Sequence, residues 1–239
     1  MPPDNPIIVA LDLPGREALA LASLLRGRVR WVKVGMTLFY AEGPVVVSEL
    51  KNLGFEVFLD LKLNDIPHQV AGAAAAIARL GVGMFTVHAS GGVAMMRSAV
   101  DSASRAAEEV GLAPPAVLAV TVLTSTDDEG LNQIGIEATA ADQVVRLARL
   151  AEEAGADGVV CSPAEAARIS SIVDSKALIV TPGVRPTWAE AGDQARISTP
   201  LVALEAGATH LVIGRPITAA ADPATAIDRI LSEIERIDR

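Results

Sequence analysis

Residues 56–89 read EVFLDLKLNDIPHQVAGAAAAIARLGVGMFTVHA. The stretch opens on a run that is almost continuously apolar and ends on another, Met84 to Ala89. Strands of that kind are covered on both faces, as parallel strands are. Between them lies QVAGAAAAIARL, with apolar residues at helical spacing and Gly81 placed to supply a left-handed C-cap. The reading is strand, helix, strand, with the two strands parallel.

The same unit recurs in both directions along the chain. Further β-rich runs are PIIVALDL (6–13), VRWVKVGM (29–36), AVLAVTVL (116–123), GVVCS (158–162), ALIVTPGV (177–184) and HLVIGRPI (210–217), at intervals of roughly 25 to 35 residues. Helices before later strands again end at glycine, Gly155 and Gly207, and STPLVALEAGA offers Ser198 or Thr199 as N-cap ahead of Pro200. AEEAGADGVVCSP (151–163) and ALEAGATHLVIGRP (203–216) echo each other as helix end, glycine and strand. Eight strands alternating with eight helices and no linker predict one α/β domain over 1–239, a (β/α)8 TIM barrel. A doubly wound open sheet is the alternative. The strand count favours the barrel, and no GxGxxG follows the first strand.

Composition narrows the function classes. The 239 residues are 51% hydrophobic but only 3% aromatic, so the core must come from Ala, Val, Leu and Ile. A net charge of -9 argues against nucleic acid or an anionic membrane as partner, while a small anionic ligand responds to the local field. Cys161 is the single cysteine, which excludes an internal disulfide and a cysteine-based metal site and reads as a small buried hydrophobe. The N-terminal MPPDNPIIVALDL has no basic leader, and no apolar run reaches membrane-spanning length, so a soluble cytoplasmic protein is expected.

In such a barrel the reacting groups sit at the C-terminal ends of the strands. Asp12, Lys33, Asp60, Lys62, Asp65, His88, Thr124, Ser125, Arg185 and Arg215 all fall there. A period of two places Phe58, Asp60 and Lys62 on one face of their strand and Leu59, Leu61 and Leu63 on the other. The leucines suit packing against helices, so the charges point into the barrel mouth, where an isolated charge would be costly. Asp12, Lys33, Asp60 and Lys62 supply one another with partners. A structural ion-pair network is the alternative reading, weakened by four charges converging on the catalytic end. A Schiff-base lysine needs an apolar or cationic setting. Carboxylates beside Lys62 favour its ammonium form instead, which makes it a cation and proton donor. Such an array suits a reaction that creates negative charge on its substrate and then delivers a proton.

The far end of the ligand is read from TPGVRP (181–186) and VIGRPI (212–217), after strands seven and eight, where phosphate commonly binds in such barrels. Gly183 and Gly214 let backbone N–H groups approach an anion, and Arg185 and Arg215 add bidentate hydrogen bonds. Gln194, in AGDQARISTP, can close over the phosphate. In LTSTDDEG (123–130), Thr124 or Ser125 can bond a polar ring, and Asp127, Asp128 and Glu129 read as a solvated face. His68 and His210 read as structural or solvent-facing. His88 has no second histidine at metal-ligand spacing, so no metal site is expected.

These motifs together resemble the orotidine 5'-phosphate decarboxylase family: VALD (9–12), VKVG (32–35), FLDLKLNDIP (58–67), VHASGG (87–92), VTVLTS (120–125), TPGVRP, GDQARISTP (192–200) and VIGRPI. The resemblance spans nearly the whole chain and is of the compact, unfused bacterial type. It implies conversion of orotidine monophosphate to uridine monophosphate and carbon dioxide without metal or organic cofactor. It further implies that Lys62 protonates the pyrimidine carbon, that Asp60 lies against the substrate carboxylate, and that Asp12 and Lys33 hold the ribose and complete the array. Asp65 and Ile66 are implied to reach a neighbouring subunit's site, so that the active form is a homodimer with shared sites. Thr124 matches the pyrimidine contact; Arg185, Gln194, Gly214 and Arg215 match the phosphate site. Two rivals remain. Keto-gulonate-phosphate decarboxylases and hexulose-phosphate synthases share the barrel and a similar D-x-K-x-x-D motif. They use magnesium, however, and have glutamate where this chain has Lys33. A non-catalytic phosphometabolite-binding barrel would keep the phosphate loops but damage the charge array, and both are intact here.

Overall fold

Eight strands form in chain order: β1 (Ile7–Ala10), β2 (Trp31–Gly35), β3 (Glu56–Leu63), β4 (Met84–His88), β5 (Ala116–Val120), β6 (Gly158–Val160), β7 (Leu178–Pro182) and β8 (His210–Ile213). Each pairs in parallel with its neighbours in sequence, and β8 pairs with β1 to close the barrel. This computed structural model describes residues 5–189 and 198–235. The closed order settles the choice between barrel and open sheet, since an open sheet would leave two edges unpaired.

Most strands stop earlier than the apolar runs suggest. β1 ends at Ala10, β5 at Val120 and β8 at Ile213. Asp12 therefore lies two residues beyond β1 rather than on its end, and Arg215 opens a short helix, Arg215–Thr218. Apolar character persists past the last ladder bond because the loop roots still pack inward, as Leu11 and Ile217 do at 0% exposure. The helix count also differs from eight. Among the described residues there are eleven α-helices. The β2–β3 connection breaks into Met36–Glu42 and Val45–Asn52 at Gly43-Pro44, and Asp128–Gln133 is a short helix in the loop after β5. Asp127 and Asp128 are thus more than a solvated face: Asp127 accepts from Gly130 N–H to cap that helix, and Asp128 accepts from Ala140 N–H.

The helix ends follow their residue types. Gly81, Gly155 and Gly207 all adopt positive φ at the predicted C-termini. Thr199 caps Pro200–Glu205 through Val202 N–H. Two apolar layers result. The larger lies between sheet and helices and takes Leu59 and Leu61 of β3. The smaller fills the barrel interior with Ile8, Ala10, Phe58, Met84, Leu118, Val180 and Val212. Small and branched residues dominate both, as the composition requires, but Phe58 and Phe85 are the bulkiest wholly buried side chains. Trp31 and His210 meet edge to face at the N-terminal mouth, with ring centroids 6.2 Å apart. Phe58 also lines a cavity that opens at the C-terminal mouth.

One irregularity marks that mouth. β3 pairs Leu59 with Phe85 but next pairs Leu63 with Val87, so β3 spends two more residues than β4 over the same interval. Within this bulge Lys62 has φ 55, the one positive φ of a non-glycine among the described residues. Left-handed backbone is unfavourable for a residue with a Cβ and persists only where its surroundings hold it.

Candidate active site

A cavity of about 520 Å³ opens at the C-terminal mouth. Asp12, Lys33, Asp60 and Lys62 line one part of its wall, and Arg185, Gly214 and Arg215 another. Thr124 also lines it, whereas Ser125 does not, which singles out Thr124 of the two candidate hydroxyls.

The four charges form a chain of alternating sign. Lys33 Nζ lies 3.1 Å from Asp12 Oδ1 and 3.5 Å from Asp60 Oδ2, and Lys62 Nζ lies 2.8 Å from Asp60 Oδ1. Lys33 and Asp60 are the buried centre, while the side chain of Asp12 is 60% exposed at the open end. Strand register explains the convergence. Gly35 of β2 stands opposite Asp60, and a Cβ on Gly35 would lie only 2.9 Å from Asp12 Oδ1 and 3.0 Å from Lys33 Nζ. Glycine in VKVG therefore makes room for the Asp12–Lys33 pair. Leu11 N–H donates to Lys33 C=O and holds the Asp12 loop against β2.

Burial alone would raise the Asp60 carboxyl. The charges of Lys33 and Lys62, with hydrogen bonds from Lys62 and Thr86, outweigh it and hold Asp60 below the ordinary carboxylate value. It is ionised throughout the neutral range. His88, at the end of β4, is half-buried; desolvation and then the Lys62 charge push its imidazole below the ordinary value despite Asp60, so it is neutral near pH 7. Cys161, just past β6, lines the cavity as a buried thiol pushed up to about 12 by desolvation and by Glu165. It contributes an apolar wall and no thiolate.

On the opposite side, Arg185 is nearly buried in the loop after β7, where its N–H donates to Ser198 C=O. Trp188 continues that loop and lies beneath the Arg229 guanidinium, 4.2 Å from ring centroid to Cζ. This cation–π contact tethers the Arg185 loop to the helix Pro223–Ile234. Cations on this wall and mixed charges on the other suit an elongated ligand with an anion at one end and a reacting centre at the other.

Two expected site residues, Asp65 and Ile66, are not among those that line this cavity. Asp65 and Ile66 are exposed in the loop after β3, where Asp65 accepts from Ile66 N–H at 2.6 Å and Ile66 is 63% exposed. Gln194 lies outside the described residues. One residue was missed. Thr86, wholly buried on β4, donates to Asp60 Oδ1 at 3.0 Å and accepts from Lys62 N–H at 2.9 Å. Its signal was a lone hydroxyl between Met84 and His88 in strand parity, so on the inward face. Among the described residues no three His, Cys, Asp or Glu side chains converge as a metal site would require, and no helix is long and apolar enough to cross a membrane.

Comparison with known proteins agrees with this architecture. Residues 5–230 match the sequence model of the orotidine 5'-phosphate decarboxylase / HUMPS family. The chain is 51% identical over 231 residues to the orotidine 5'-phosphate decarboxylase of Paramagnetospirillum magneticum, covering 96% of this chain and 98% of that protein. It is 52% identical over 229 residues to the one from Halorhodospira halophila, covering 95% of each. The crystal structure of orotidine 5'-phosphate decarboxylase from Lactobacillus acidophilus superposes with a TM-score of 0.84 at 42% identity, covering 97% of this chain and 99% of that one. The matching barrel, the near-complete coverage and the level of identity lead to one conclusion: the chain belongs to the orotidine 5'-phosphate decarboxylase / HUMPS family.

Proposed function

We infer that the protein is an orotidine 5'-phosphate decarboxylase, a cofactor-independent carboxy-lyase that forms uridine monophosphate in pyrimidine biosynthesis. The observation that carries this reading is the unbroken chain Asp12–Lys33–Asp60–Lys62 on the wall of a cavity that also holds Arg185 and Arg215. The family includes sugar-phosphate lyases, and the relatives about half identical to this chain carry the decarboxylase name. Lys33 stands where the resemblance gives those lyases a glutamate.

In this reading Arg185, Gly214 and Arg215 hold the phosphate, joined by Gln194. Asp12 and Lys33 bond the ribose, and Thr124 bonds the pyrimidine. The substrate carboxylate is placed against the ionised Asp60. As the carbon–carboxylate bond breaks, its electron pair stays on the ring carbon and carbon dioxide departs. Lys62, an ammonium held 2.8 Å from Asp60, lies across the vacated position, stabilises the developing carbanion and transfers a proton to it. The charges are fixed before the substrate arrives, so little reorganisation is needed during the reaction. Two unit charges about 4 Å apart at an effective dielectric near 20 interact by roughly 4 kcal/mol, enough for several such terms to lower a barrier by many powers of ten.

The whole chain, 1–239, acts as one barrel domain in a cytoplasmic homodimer. Exposed Asp65 and Ile66, which are not among the residues lining the cavity of their own chain, support this. Specific activity is expected to fall on dilution in step with loss of dimer mass; full activity in a monomer would remove Asp65 and Ile66 from a partner's site. For the reaction itself, purified protein given orotidine monophosphate should change its ultraviolet absorbance to that of uridine monophosphate. Turnover of a keto-gulonate or hexulose phosphate in its place would overturn the reading.

A further inference from the structure

We propose that Thr86 is a positioning residue for the proton donor: its hydroxyl closes the gap that the β3 bulge leaves in the sheet and so fixes Lys62 against Asp60. The proposal rests on the decarboxylase reading and assigns the means by which its acid is aimed.

The gap is a matter of register. β3 and β4 pair at Phe58 with Met84 and at Leu59 with Phe85, and pairing resumes at Leu63 with Val87. Asp60, Leu61 and Lys62 therefore face a single β4 residue, Thr86. In a regular parallel ladder the Lys62 amide would bond a neighbouring carbonyl. Here it donates to Thr86 Oγ1 at 2.9 Å. The threonine side chain stands in for the missing ladder acceptor.

The same hydroxyl completes a ring. An alcohol has one hydrogen to give, and a carboxylate can only accept. Having accepted from the Lys62 amide, Thr86 gives its hydrogen to Asp60 Oδ1, 3.0 Å away, and that oxygen also takes Lys62 Nζ at 2.8 Å. Backbone and ammonium of one lysine are thus held at two points of a single Thr86–Asp60 pair. This accounts for a non-glycine residue keeping φ 55 at the base of the site. Without the hydroxyl, the buried amide loses its acceptor and the backbone is released toward an ordinary conformation, displacing Nζ from the reacting carbon. Threonine suits the role because its branched Cβ restricts the rotamer that presents the oxygen. Its place beneath the charges, at 0% exposure, keeps it from touching substrate.

Thr86→Val keeps the volume and removes only the hydroxyl. Its kcat for orotidine monophosphate should fall roughly ten- to hundredfold, the scale set by one buried unpaired donor. KM and the dissociation constant of uridine monophosphate should stay within about twofold, because the phosphate grip is untouched. Thr86→Ser should restore kcat to within about threefold of wild type. If the valine variant does not fold, Thr86→Ala carries the same expectation. Wild-type kcat in either variant lacking the hydroxyl overturns the proposal, as does a serine variant as slow as the valine one. A fall in uridine monophosphate affinity that matches the fall in kcat also overturns it, because that pattern marks general disruption of the site. Wild-type protein that turns over no orotidine monophosphate overturns the parent reading and the proposal with it; active wild type with unaffected variants overturns the proposal alone.

Discussion

Lys62→Ala is expected to lower turnover of orotidine monophosphate by about ten-thousandfold or more, combining loss of the positioned acid with loss of the cation beside the developing charge. Binding of uridine monophosphate should survive within roughly tenfold, since the contacts to phosphate and ribose remain. The split follows from the layout of the cavity. Lys62 sits at one end of the charge chain, while Arg185 and Arg215 line another part of the wall. Asp60 keeps Lys33 as counter-charge in the variant, so the site should stay assembled. Single-turnover kinetics beside equilibrium binding would check this, and a near-normal rate would remove Lys62 from its role.

Asp60→Ala should be the most damaging change to the array as a whole. Asp60 is the shared partner of Lys33 and Lys62, and its side chain is only 14% exposed. Removing it takes the carboxylate partner from Lys62 and leaves Lys33 with Asp12 at the exposed end, and breaking a buried ion pair in this way costs about 3–5 kcal/mol. For a chain of this size that corresponds to a fall in Tm of roughly 6–20 °C. Turnover should fall with it, because the variant loses both the carboxylate set against that of the substrate and the acceptor that holds the Lys62 ammonium. The acid dependence of stability should change as well. Asp60 is held below its ordinary value of 3.8 in the folded chain, so the folded state binds fewer protons than the unfolded one. Its contribution is complete above that ordinary value and is lost as pH falls through the lower folded value. Thermal melts from pH 6 downward should show this loss in wild type and a shallower decline in the variant. A variant as stable as wild type at pH 7 would contradict the account of Asp60.

Much of this was legible because the barrel is built from local repeats. Near-continuous apolar runs marked the strands, glycine marked the helix ends, and parity alone turned Asp60 inward and Leu59 and Leu61 outward. What escaped the sequence was non-local. The β3 bulge depends on how two strands register, which neither strand records by itself. Lys62 does point inward, yet through a left-handed backbone and not the simple alternation that parity assumes. Thr86 looked like one more β-branched strand residue, and its role emerges only when β4 is set beside the bulge. Asp12 seemed to end a strand because apolar loop roots resemble strand residues. Asp65 shares the motif of Asp60 and Lys62, but it lies exposed beyond the end of β3 and does not line the cavity.

The most direct test is turnover of orotidine monophosphate by protein stripped of metal with EDTA, followed by ultraviolet absorbance with uridine monophosphate and carbon dioxide identified as products. The account predicts full activity that added magnesium does not increase. No turnover, or turnover that returns only with magnesium, would contradict it.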